Sequence, residues 1–146
     1  MKLPLLRLAA LLLGTLVFAP VCAPARAQAG PVIALDHGSV WQTQKDGQDT
    51  QGFVQIHNTG DTPDTLTGAD CTIADATTLV DAGGKPLASL TIAAGQSVIL
   101  SGSGPHLLLQ NARYKVPANA VLPCAFTFAQ TGDLIGYLNA VPPPKS

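Results

Sequence analysis

Few side chains in this sequence can do chemistry. There are three histidines (His37, His57, His106), three cysteines (Cys22, Cys71, Cys124) and nine acidic residues, every one of them aspartate. No methionine follows Met1. The most informative stretch runs from Thr91 to Leu109. It reads as a turn, a short apolar strand (Ser97–Leu100), a loop (Ser101-Gly102-Ser103-Gly104-Pro105) and a second apolar strand that starts with His106. An imidazole at the mouth of an aliphatic strand is either a metal ligand held by a β-scaffold or a hydrogen-bonded strand-end ring. Side chains two apart share a strand face, so His106 points with Leu108 and Gln110. A metal site on this strand would want a donor at position 108, and leucine has none. His57 closes another strand beside a turn, and His37 falls in a loop.

Catalytic patterns are thin. Gly102-Ser103-Gly104 lacks the spacing and the strand-to-helix turn of a nucleophile elbow. Gly83-Gly84-Lys85-Pro86 has proline where a phosphate loop has its hydroxyl residue. Asp61 and Asp64 are close enough to pair as acid and base, but they sit in a turn, where aspartate has a structural reason to be. The expectation is a protein that is not an enzyme.

The elements that must position these residues read as strands. Periodicity is two nearly throughout. Apolar or alternating stretches fall at Pro31–Leu35, from Val40-Trp41 onward, and at Gly52–His57, Thr65–Cys71, Ala76–Asp81, Leu87–Ile92, Ser97–Leu100, His106–Gln110, Val121–Ala129 and Leu134–Val141. Dense turn signals separate them, notably Asn58–Asp64 and Gly83–Pro86. The absence of Glu and Met argues against long helices. The one place left for a helical turn is around Leu107–Lys115 or Asn119. Eight or nine short strands predict an all-β, single-domain antiparallel sandwich.

The first 27 residues read as a secretory signal peptide. Lys2 and Arg7 precede an apolar run, and Ala25-Arg26-Ala27 supplies a cleavage site after Ala27. The run is interrupted by Pro20 and is short for a membrane span. Ala19-Pro20-Val21 fits the pattern before a lipidated cysteine poorly, so lipidation at Cys22 is not the expectation. The expected layout is therefore a leader at 1–27, a sandwich domain at 28–141 and a Pro-rich disordered tail at 142–146. Removing the leader leaves five basic and nine acidic residues. That balance excludes a nucleic-acid partner, and no membrane association is expected once the leader is gone. An exported chain meets an oxidising compartment, here read as the periplasm, where Cys71 and Cys124 would pair. The bond would add roughly 3–4 kcal/mol. The alternative is two buried free thiols. Cys124 shares strand parity with Leu122, Phe126 and Phe128 and points inward either way.

Several of these runs also resemble a known family. Val54-Gln55-Ile56-His57-Asn58-Thr59-Gly60-Asp61-Thr62-Pro63-Asp64-Thr65 is similar to the first hairpin of the periplasmic PCuAC-type copper chaperones. Ile92-Ala93-Ala94-Gly95-Gln96 and Gly104-Pro105-His106-Leu107-Leu108 are similar to that family's Ile-Pro-Ala-Gly-Gly turn and Gly-x-His-x-Met strand. Val121–Ala129 and Gly132 fit its closing strand and turn. The resemblance spans roughly residues 33–140. It implies a cupredoxin-like β-sandwich that binds Cu(I) and delivers it to a cuproenzyme such as cytochrome oxidase. It also implies four ligands, two His and two Met. His106 falls on the second histidine. Leu108 falls on a methionine, the first histidine is missing near Thr77–Val80, and the other methionine is missing near Gly84. His57, or His37, could join His106 as a helper. Two readings follow: copper handling with rebuilt or partner-supplied ligands, or a sandwich that has lost metal and serves as an interaction module.

Overall fold

The structure is a computed structural model that describes residues 29–145. The signal-peptide reading (residues 1–27) lies outside the described residues. Nine strands follow in chain order: β1 (Ile33–Trp41), β2 (Thr50–Asn58), β3 (Asp64–Cys71), β4 (Ala74–Val80), β5 (Leu90–Ile92), β6 (Ser97–Ile99), β7 (His106–Ala112), β8 (Val121–Phe128) and β9 (Gly132–Val141). They join in the order β4-β7-β2-β1-β9-β8-β3-β5, with β6 paired to β2.

Alternation drives this arrangement. In β8 Leu122, Cys124, Phe126 and Phe128 are buried while Val121, Pro123 and Thr127 face solvent. That is the period-two pattern of a half-buried strand. The sheet curls so that these residues meet Val54, Ile56, Leu107, Leu109, Leu66 and Leu138 in one core. Every pairing is antiparallel except one: β1 and β9 run parallel, through Ser39–Trp41 and Asn139–Val141.

Three local expectations change. The two stretches read at Pro31–Leu35 and from Val40 are one strand, β1, interrupted by a bulge between Asp36 and Ser39. His37 sits in that bulge at φ 49°, so it is not in a loop. No helical turn occurs at Leu107–Lys115 or Asn119. Leu107 to Ala112 continue β7, because Leu107 and Leu109 complete the core and pair with Leu79 and Thr77. Asn111, near the end of β7, and Asn119, in the turn before β8, adopt positive φ instead, which asparagine tolerates better than most residues.

Two buried polar side chains hold the turns. Asn58 is 1% exposed. Its amide donates to the carbonyls of Thr62 and Ile92 and accepts from the backbone of Val32 and Gly60. Asp64, 2% exposed, ties the start of β3 to the β8–β9 turn. The expected disulfide is present: Cys71 and Cys124 face each other directly across β3 and β8, and both are buried. Pro142–Lys145 are exposed and carry no regular structure.

Candidate metal centre around His106

β7 begins with His106 because the preceding loop closes on itself. Ser101 donates its N–H to Pro105 O, and Gly104 donates to Ser101 O. This tight return aims the Gly104 carbonyl at the imidazole, and His106 Nδ1 lies 2.9 Å from it. A carbonyl can only accept, so Nδ1 carries the proton and, in the neutral ring, Nε2 keeps its lone pair. Ligating histidines are commonly oriented this way, with the second nitrogen donating to a carbonyl.

The ring is only 5% exposed, yet it does not belong to the main core. Leu107 and Leu109 point inward, and His106 points to the opposite face of the sheet. There Phe53 packs against it at 6.3 Å between ring centres, and Trp41 meets Phe53 edge-on at 5.2 Å. Gly102 approaches the Trp41 ring from the loop. Among the described residues the only fully buried side-chain polar atom without a partner is Gln51 Oε1. His106 is thus a buried ring held through Nδ1, with the Nε2 lone pair left unprotonated in the neutral form.

The register places the other expected ligand positions beside it. Val80 pairs directly with His106, and Thr78 with Leu108. Leu108 in turn faces Gln51 on β2. The turn after Val80 is pinned by Asp81 Oδ1, which accepts from Gly83 and Lys85. These positions converge on one patch of the outer face, but only His106 presents a nitrogen or sulfur lone pair suited to copper.

His57 is not brought to His106. It shares the outer face of β2 with Phe53 but lies four residues along the strand, about 13 Å away. Its Nδ1 is 2.6 Å from Ser97 Oγ, and its Nε2 is 3.7 Å from Asp36 Oδ2. His37 Nδ1 lies 3.5 Å from the other oxygen of the same carboxylate. No group of three or more His, Cys, Asp or Glu among the described residues is closed around a point where a metal could sit. The disulfide removes the two thiols from consideration as ligands.

Sequence reasoning missed two contributors at His106, the Gly104 carbonyl and Phe53, and away from it the contacts of Asp36 with His57 and His37. A signal existed for Phe53, since its even spacing from His57 puts it on the outer face. None existed for Asp36, because the bulge breaks the alternation that would have placed it.

Solved structures share this fold. The apo PCuAC domain from PmoF1 superposes with a TM-score of 0.69 at 18% identity, covering 76% of this chain and 94% of that one. The copper-bound PCuAC domain from PmoF2 gives 0.68 at 16% identity, covering 76% and 93%. The Cu(I) form of DR1885 from Deinococcus radiodurans gives 0.64 at 23% identity, covering 80% and 82%. The cupredoxin-like sandwich of the PCuAC domains is thus the fold of this protein. No curated protein matches the sequence. The family model described as "Putative lipoprotein LpqE-like" matches residues 33–135. On that match, which spans most of its length, the chain belongs to the LpqE-like family.

Proposed function

We propose that this is an exported copper-binding protein in which His106 is the one resident ligand, and in which a partner completes the coordination of Cu(I). The observation that carries this reading is the Nδ1–H···O=C bond to Gly104, which fixes the ring and leaves the Nε2 lone pair unprotonated for a metal. Solved structures of the same fold include copper-bound forms, which supports the choice of metal.

One imidazole cannot hold Cu(I) selectively by itself, and Val80, Thr78 and Leu108 add no donor. A partner that brings thioether, thiolate or imidazole donors to this face would both complete the site and receive the ion. The recipient class is a cuproenzyme, such as cytochrome oxidase, or another copper-handling protein. The role is binding and transfer, without catalysis. The layout that fits is a cleaved leader at 1–27, the sandwich at 28–141 and a Pro-rich disordered spacer at 142–146. The family's description names a lipoprotein, and Cys22 lies outside the described residues. Export to the periplasm agrees with either leader chemistry and with the Cys71–Cys124 bond.

A second reading keeps the sandwich and drops the metal. It is favoured by Leu108 and Val80, apolar residues that stand beside His106 and offer no donor. Competition of the purified protein with a chromophoric Cu(I) chelator separates the two. Copper binding that is lost in His106→Ala supports the first. No binding by either protein supports the second, and equal binding by both overturns His106 as the ligand.

A further inference from the structure

We propose that the Pro-rich spacer after Val141 is a strap that docks reversibly in the groove between Trp41 and Leu108, on the outer face beside His106. Val141 ends β9 next to Trp41, its register partner on β1, and its carbonyl accepts one further bond from the N–H of Gln42 at 2.9 Å. Pro142 has no N–H with which to continue the ladder. The sheet therefore stops there, and the chain is let go at the rim of the groove.

Pro143 forms one wall of that groove. It is a cleft of about 190 Å³ whose other walls include Trp41, Asp49, Gln51 and Leu108. Leu108 faces Gln51 across β7 and β2, and it lies two residues from His106 on the same face. Trp41 joins the cleft to the rings behind the imidazole, because it packs on Phe53 and Phe53 packs on His106.

The chemistry of the spacer fits these walls. The rings of Pro142-Pro143-Pro144 hold the chain extended. Without N–H groups the run cannot add a strand to the sheet. It can lay its rings on an aromatic face, which is how aromatic-lined grooves take Pro-rich segments. That mode asks for no secondary structure, in keeping with the irregular backbone of Pro142–Lys145. With φ fixed beforehand, little freedom is lost on docking. Charge matches as well. Lys145 is the one cation of the spacer and lies two residues, about 6 Å of extended chain, beyond Pro143. None of the residues lining the groove is cationic, and one of them, Asp49, is an acid. Its Oδ1 accepts from the N–H of Asn111, and its Oδ2 is left to receive the Lys145 ammonium.

The docked strap covers Leu108, so a partner reaching for His106 has to displace it. This consequence rests on the copper reading; the docking itself does not.

The test uses metal-free protein. Trp41 is the sole tryptophan, so fluorescence reports on this groove alone. Nuclear Overhauser cross-peaks are expected between the Pro143 ring and the Trp41 indole. The double variant Pro143→Gly/Pro144→Gly, and separately Lys145→Glu, should each lower the docked population by about 1.5- to 5-fold, the range one exposed contact commands. The drop reads as weaker cross-peaks and stronger acrylamide quenching of Trp41, with the circular dichroism spectrum unchanged. Absent cross-peaks, or quenching that stays the same in either variant, would overturn the proposal. No arm contains copper, so failure here leaves the His106 reading standing, and the Cu(I) titration can fail without touching the strap.

Discussion

Replacing Asp64 by asparagine should cost about 3 kcal/mol at neutral pH. The carboxylate is 2% exposed and accepts four hydrogen bonds. Oδ1 takes the N–H of Thr65 at 2.7 Å and of Gln130 at 2.9 Å. Oδ2 takes the N–H of Thr131 at 2.9 Å and its hydroxyl at 2.6 Å. Asp64→Asn keeps the first pair but sets an amide N–H against the Thr131 N–H, while the Thr131 hydroxyl can reverse to accept. Loss of one bond to a charged acceptor, at about 1.5 kcal/mol, together with a buried N–H left unpaired, at about 1–3 kcal/mol, gives the figure. Denaturant unfolding at pH 7 reads it directly.

The effect also has a pH signature. Burial pushes the Asp64 carboxyl up, but the donors outweigh it, the Thr131 hydroxyl first among them, and the net shift is below the ordinary 3.8. A depressed folded pKa stabilises fully above the unfolded value and loses that stabilisation as pH falls through the folded value. The variant has no proton to take up at that site. The difference between the two proteins should therefore narrow below about pH 4. A difference under about 0.5 kcal/mol at pH 7, or one that does not shrink on acidification, would refute the reasoning.

Other outcomes follow from equally local features. Gly38→Ala sets a Cβ 2.1 Å from a backbone oxygen and should destabilise by about 3 kcal/mol or more, whereas Gly68→Ala meets nothing within 4 Å and should be neutral within about 0.5 kcal/mol; paired melting curves check both. Removing the disulfide, whose cysteines are 53 residues apart, should cost about 4 kcal/mol by loop entropy, seen as a lower unfolding midpoint for the double alanine variant. Leu108→Met places a thioether two residues from His106 on the same face; Cu(I) affinity should rise at least 10-fold in the chelator assay, with under about 1.5 kcal/mol change in stability.

Most strands were legible because each carries its own alternation. Val121–Ala129 and Gly52–His57 needed no partner to be recognised, and both are close to β8 and β2 as observed. What could not be read was non-local. The parallel contact of β1 with β9 joins residues about a hundred positions apart, and nothing in Ser39–Trp41 announces it. Asp36-His37-Gly38 interrupts the apolar pattern, so one bulged strand read as two stretches and a loop. Asp64 looked like an ordinary turn aspartate because its donors, Gln130 and Thr131, come from the far end of the chain. At His106 the face was readable from parity with Leu108. The burial was not, since it depends on Phe53 from another strand and on a loop carbonyl.

The most direct test of His106 as the resident copper ligand is nitrogen NMR of the histidine side chains during titration with Cu(I), which is diamagnetic. The account predicts a large shift of His106 Nε2, while Nδ1 stays protonated by virtue of its bond to Gly104 and the His37 and His57 resonances stay in place. An unmoved His106, or a response centred on His57, would contradict it.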